Sequence, residues 1–98
     1  MKLKDFYLEY NRPLNRFFLI HERRLFISYK LDEEGKLFVS VQHEKELAKL
    51  YKTPEGREYF DNITRKIKEF YTKQAKLAAL AKSIEELFYI DKNGALKG

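Results

Sequence analysis

A chain of 98 residues has room for one small core and none for a cofactor domain joined to a substrate domain. Apolar residues make up 44% and charged residues 36%, which points to a compact fold with a heavily solvated surface and excludes disorder. The absence of cysteine excludes disulfides, thiolate metal sites and Cys nucleophiles, and a net charge of +5 favours an acidic partner such as nucleic acid.

Leu3, Phe6, Tyr7 and Tyr10 recur at the intervals of a helix face, which predicts a short amphipathic N-terminal helix over residues 3 to 10. Arg12-Pro13 should end it, because proline disfavours helical dihedrals at the residue before it. Arg16 to His21 then reads as a first strand, with a second helical segment beginning at Pro13 as the alternative. The link His21-Glu22-Arg23-Arg24 contains no Gly, Pro, Asn or Asp to make a tight turn.

A repeated pattern follows, Leu25-Phe26-Ile27-Ser28-Tyr29 and Leu37-Phe38-Val39-Ser40-Val41, which predicts a β-hairpin over residues 24–43. Closing the loop with Asp32 opposite Lys36 places Gly35 where a positive φ is needed. That register sets Leu31 against Leu37, Tyr29 against Val39, Ile27 against Val41 and Ser28 against Ser40. Regular alternation then predicts one apolar face and one mixed face, the latter carrying Phe26, Lys30, Phe38 and Gln42. Leu37-Phe38-Val39 matches only three residues of a ribonucleoprotein-motif strand, too few to assign that family.

Glu44 to Lys52 reads as one or two helical turns with Leu47, Leu50 and Tyr51 inward. Thr53-Pro54-Glu55 supplies a cap, a proline at the first helical position and an acid at the positive helix end. From there Phe60, Ile63, Ile67, Phe70, Leu77, Ile84 and Phe88 follow a heptad spacing, giving a long C-terminal helix over about 54–90. A straight helix drifts against such a seam, so the helix must supercoil, bend around the sheet or break, and the candidate break sites between residues 72 and 83 are Thr72-Lys73-Gln74 and the capping box Ser83 to Glu86. Asp91-Lys92-Asn93-Gly94 is the expected stop, with residues 95–98 frayed. The fold class is thus α+β, a single small domain with an antiparallel sheet of two to three strands packed with the two helices.

Two basic clusters are the candidate binding residues. Over residues 62–82, six cations less Glu69 leave +5, equal to the whole net charge. Of these, Arg65, Lys66, Lys73 and Lys76 fall within about a quadrant of the helix at roughly 100° per residue, with Lys68 nearby, so the row could follow a phosphate backbone. Arg12, Arg16, Arg23 and Arg24 flank the first predicted strand, and their planar guanidinium groups can hold phosphate bidentately or stack on bases. Phe26 and Phe38, with Lys30, form a candidate aromatic contact face.

No motif commits the chain to a reaction. Neither His21-Glu22 nor His43-Glu44 extends to a His-Glu-x-x-His metal site, because Leu25 and Leu47 occupy the second ligand position. Glu34-Gly35-Lys36 has the Glu-x-Lys spacing of metal-dependent nucleases but lies in the hairpin loop. No Gly-rich phosphate loop is present. No cofactor or metal is expected, and no enzymatic activity.

The longest apolar run, Phe17 to Ile20, is too short for a bilayer, and the start turns acidic at Asp5 before any apolar run. A cytoplasmic location with no membrane partner is therefore expected. The leading expectation is a small basic protein that acts by occupancy on nucleic acid or on a nucleic-acid-handling machine. The alternative is a protein-binding inhibitor or adaptor of the phage or plasmid type that blocks a host enzyme such as a nuclease. Either would be a monomer or a homodimer.

Overall fold

A computed structural model describes residues 1–92, with side chains described through residue 83. A single 3-10 turn, Leu3–Asp5, leads into four strands: β1 (Phe6–Asn11), β2 (Arg16–His21), β3 (Arg24–Leu31) and β4 (Leu37–Val41). Two helices follow, α1 (Glu44–Tyr51) and α2 (Pro54–Lys92). The strands form one antiparallel sheet in the order β1-β2-β3-β4, each pairing only with its neighbours in sequence. The fold class is α+β, with four strands instead of the expected two to three.

The extra strand replaces the expected N-terminal helix. Within residues 3–10 the spacing of Leu3, Phe6, Tyr7 and Tyr10 fits a helix, but Phe6, Leu8 and Tyr10 also alternate at the period of a strand. Pairing decides between them: Phe6 lies opposite His21, Leu8 opposite Leu19 and Tyr10 opposite Phe17. β2 supplies a hydrogen-bonding edge that eight residues of isolated helix cannot match. Arg12 to Asn15 closes the hairpin, with the Asn15 N–H donating to the Arg12 carbonyl at 3.1 Å and the Leu14 N–H to Asn11 Oδ1 at 3.0 Å.

β2 turns into β3 through Glu22 and Arg23, both left-handed at φ 48° and 64°. This is the tight two-residue turn that the composition argued against, and it is held by the ladder on either side. A left-handed conformation costs a non-glycine residue about 1–2 kcal/mol. Replacing the pair by Asn and Gly, E22N with R23G, should therefore raise stability by roughly 1–2 kcal/mol. A urea midpoint that rises at unchanged slope would show it; an unchanged midpoint would mean that the turn is unstrained.

The β3–β4 hairpin has the expected register, Ile27 opposite Val41, Ser28 opposite Ser40, Tyr29 opposite Val39 and Leu31 opposite Leu37. Asp32 N–H donates to the Lys36 carbonyl at 2.8 Å, and Gly35 takes φ +80°. One expectation fails within it. Leu19 lies opposite Ile27 but Ile20 lies opposite Leu25, so Phe26 is the extra residue of a β-bulge. The bulge turns Phe26 off the mixed face and onto the inner one, where it is 0% exposed and meets Phe6 edge-on at 5.3 Å. Phe38 stays on the outer face, 51% exposed. The two rings do not share a surface.

α1 begins after His43, which takes a left-handed φ of 55° and sets its ring 4.8 Å from Phe26. Leu47 is buried, while Tyr51, expected inward, is 46% exposed. The α1–α2 corner follows the sequence: the Gly56 N–H donates to Thr53 Oγ1 at 3.0 Å, and the Thr53 hydroxyl donates to the Leu50 carbonyl at 2.7 Å. Gly56 is required there, because a Cβ would be driven into the Leu50 carbonyl oxygen.

The chain divides into two compact units, Met1–Lys68 and the residues from Glu69 onward, with the boundary inside α2. In the first unit the sheet's inner face, α1 and the start of α2 form one core. Phe6, Phe17, Leu19, Phe26, Ile27, Tyr29, Leu47, Phe60 and Ile67 are its buried apolar residues. His21 is buried among them, 4.8 Å from Phe6, and its Nδ1 has no hydrogen-bond partner among the described residues.

In the second unit α2 is continuous through the candidate break sites between 72 and 83. The Ser83 hydroxyl donates to the Ala79 carbonyl at 3.1 Å, one turn back, so it supports the helix in progress instead of capping a new one. Leu77 of the expected seam and Leu80 beside it are 66% and 57% exposed, so this stretch is not buried. The expected stop at Gly94 and the frayed end 95–98 lie outside the described residues, as do the side chains of Ile84 and Phe88.

Candidate nucleic-acid interface

Alternation along the strands builds the outer face of the sheet. Arg16 precedes the inward Phe17 and so points outward; one step beyond the Phe17–Tyr29 pair, it falls opposite Lys30. Asn11 pairs with Arg16 on one side, and Lys30 pairs with Phe38 on the other. Four strands thus contribute one transverse row, Asn11, Arg16, Lys30 and Phe38. Lys30 Nζ sits 5.3 Å from the centroid of the Phe38 ring, a cation held over an exposed aromatic face.

A second row, Glu9, Phe18, Ser28 and Ser40, lies beside the first. Tyr7, half exposed at 50%, adds a ring near the far end of β1. Arg12 is exposed in the β1–β2 turn, next to the first row. This face therefore offers rings at Tyr7, Phe18 and Phe38 and cations at Arg12, Arg16 and Lys30, with Glu9 as the carboxylate among them. Phe18 and Tyr7 are the members that sequence reasoning missed. Their signal is the two-residue period of β1 and β2, which for Tyr7 is hidden while residues 3–10 are read as a helix.

The remaining cations go elsewhere. Arg23 is exposed at the tip of the β2–β3 turn, at the opposite end of β2 from Arg16. Arg24 is engaged in the fold: its guanidinium forms an ion pair with Glu46 at 3.3 Å and lies 5.1 Å from the centre of the Phe26 ring. The four arginines are thus two pairs at opposite ends of a strand, not one cluster. Arg65, Lys66 and Lys68 are exposed on the part of α2 that packs its Phe60 against the inner face, so they lie across the sheet from the Arg16–Lys30–Phe38 row. Arg65 donates to Asn62 Oδ1 at 3.1 Å. Lys73 and Lys76 are exposed in the second unit.

On the inner side, a cleft of about 350 Å³ opens between the β3–β4 hairpin, α1 and the first turns of α2. Its walls are apolar, with Tyr29 and Thr64 in the lining and the carboxylates of Glu44 and Asp61 as its ionisable acids. Burial pushes the Tyr29 phenol up to about 12, partly offset by its hydrogen bond with Thr64. Tyr51 donates to Asp61 Oδ1 at 3.1 Å, and that hydrogen bond raises the Tyr51 phenol above its ordinary value.

Among the described residues no three His, Cys, Asp or Glu side chains are grouped to hold a metal ion, and no helix is long and apolar enough to cross a membrane. Comparison with known protein families, with curated proteins and with solved structures finds no match to this chain.

Proposed function

We propose that this chain is a small non-enzymatic binding protein that occupies single-stranded nucleic acid through the outer face of its sheet. The observation that carries this reading is the row Arg16, Lys30 and Phe38, in which two cations on neighbouring strands lie beside an exposed ring on the next. Base stacking on an aromatic ring is worth about 1–3 kcal/mol and tolerates any base, while the cations supply phosphate contacts. Duplex hides its bases from such a platform, so single strands should bind more tightly. Arg65, Lys66 and Lys68 lie on the other side of the sheet and are not needed for this contact.

Fluorescence anisotropy with labelled single-stranded DNA, single-stranded RNA and duplex across a salt series tests it. With Arg12, Arg16 and Lys30 as three phosphate contacts, the logarithm of the affinity should fall against the logarithm of salt with a slope of roughly −2. Reversing two of them, R16E with K30E, should lower affinity by about two orders of magnitude and flatten that slope. Absence of binding at low salt would sink the reading, and so would a double variant that binds as well as the parent. A second reading, a protein-binding adaptor or inhibitor, draws on the apolar cleft across the sheet.

A further inference from the structure

β4 is an edge strand whose free side adjoins the cleft. Asp32 donates to the Lys36 carbonyl, and Gln42 donates to the Phe26 carbonyl at 2.7 Å, so the even-numbered residues of β4 face the β3 ladder. Leu37, Val39 and Val41 therefore aim their N–H and C=O groups away from the sheet, and none has a hydrogen-bond partner there among the described residues. Edge strands are commonly guarded by lysine, proline or a bulge; Leu37-Phe38-Val39-Ser40-Val41 has none of these. Val39 and Val41 are each 41% exposed, and their side chains line the cleft. The same two residues thus present an open backbone edge and one wall of an apolar pocket.

Charge narrows what fits. The chain carries net +5, yet the cleft is lined by Glu44 and Asp61 and by no Lys or Arg. An added strand places alternate side chains on the same face, two residues apart. An aliphatic side chain in the cleft would bring the side chain two positions along to its mouth, where a carboxylate favours a cation.

We propose that the β4 edge and this cleft together dock an extended segment of a partner protein, added as a fifth strand, with an aliphatic residue in the cleft and a Lys or Arg two positions away. This inference is independent of the outer-face reading. A small apolar amine would use the cleft but not the edge, and a second copy of the chain would use the edge without a basic residue at the mouth.

Selection of a displayed library of linear heptapeptides against the full chain distinguishes these occupants. The expected result is enrichment of an aliphatic residue spaced by one from Lys or Arg, with the synthesised peptide protecting the Val39 and Val41 amides from hydrogen exchange. Val39→Pro removes an edge donor that lies outside the β3 ladder, Ala48→Trp fills the cleft, and Asp61→Lys reverses the charge at its mouth. Each should weaken the peptide at least tenfold while circular dichroism stays that of the parent. Asp61 is an exposed side chain, so D61K remains informative if A48W fails to fold. Failure to enrich any peptide, peptides indifferent to V39P or to D61K, or a concentration-dependent dimer dissolved by V39P would each overturn the proposal.

Discussion

Replacing Phe26 by Ala should destabilise the protein by about 3–5 kcal/mol, whereas Phe38→Ala should change stability by less than about 1 kcal/mol. The two residues hold the same place in the repeated pattern, and only the bulge separates them. Phe26 is fully buried against Phe6 and lies beside His43 and under Arg24, so its removal leaves a cavity that rigid strand and helix backbones close poorly. Set against a total stability of about 5–15 kcal/mol, that loss brings the fold near its limit. Phe38, half exposed under Lys30, should instead show its effect in nucleic-acid binding. Urea denaturation of both variants decides it: equal losses would mean that the two rings share an environment and that the bulge is not formed.

Alkaline pH should weaken the fold through Tyr29. Its phenol is pushed from an ordinary value of 10.0 up to about 12 by burial, with Tyr59 adding slightly and Thr64 opposing. Below pH 10 the phenol is protonated in folded and unfolded chains alike, and the stabilisation of the neutral form is intact. Between 10 and 12 the unfolded chain has lost the proton that the folded chain keeps, so stability falls as pH rises. At about 1.4 kcal/mol per unit, the loss approaches roughly 2–3 kcal/mol at the top of that window. The difference between the parent and Tyr29→Phe isolates this contribution and is the quantity to measure. Parallel stability curves from pH 9 to 11.5 would remove Tyr29 as the cause.

Legibility followed how local the determinants are. Gly35, Asp32 and Lys36 specify the β3–β4 register within one loop, and Thr53, Pro54 and Gly56 specify the start of α2 within one turn. β2 reads as a strand from its short apolar run, Arg16 to His21, with a helix from Pro13 as the alternative because nothing in the next link marks a turn. β1 was not, because residues 3–10 carry both a helical and a strand period and the choice rests on a partner strand. The bulge at Phe26 is invisible in β3 alone, since it is a mismatch of register with β2. The Glu22–Arg23 turn lacks the usual residues and is imposed by the strands that it joins. Ser83 reads equally well as a cap or as a side chain bonded one turn back, and it takes the second role. For the candidate site, residue types were legible and placement was not. Arg16, Lys30 and Phe38 come together only once four strands are in order, while Arg24 leaves the set through Glu46 and Phe26.

The order β1-β2-β3-β4 also bears on how quickly the molecule assembles. Every strand pairs with the one just before or after it in sequence, so each hairpin closes a short loop and none waits for a distant segment. The sheet can grow by successive zipping as the chain emerges, before α2 has been made. Until Phe60 and Ile67 arrive, the inner face with Phe26 and Tyr29 at its centre has nothing from α2 to pack on. Docking of the helix is then the late event, and the core variants described above should speed unfolding more than they slow the zipping of the strands.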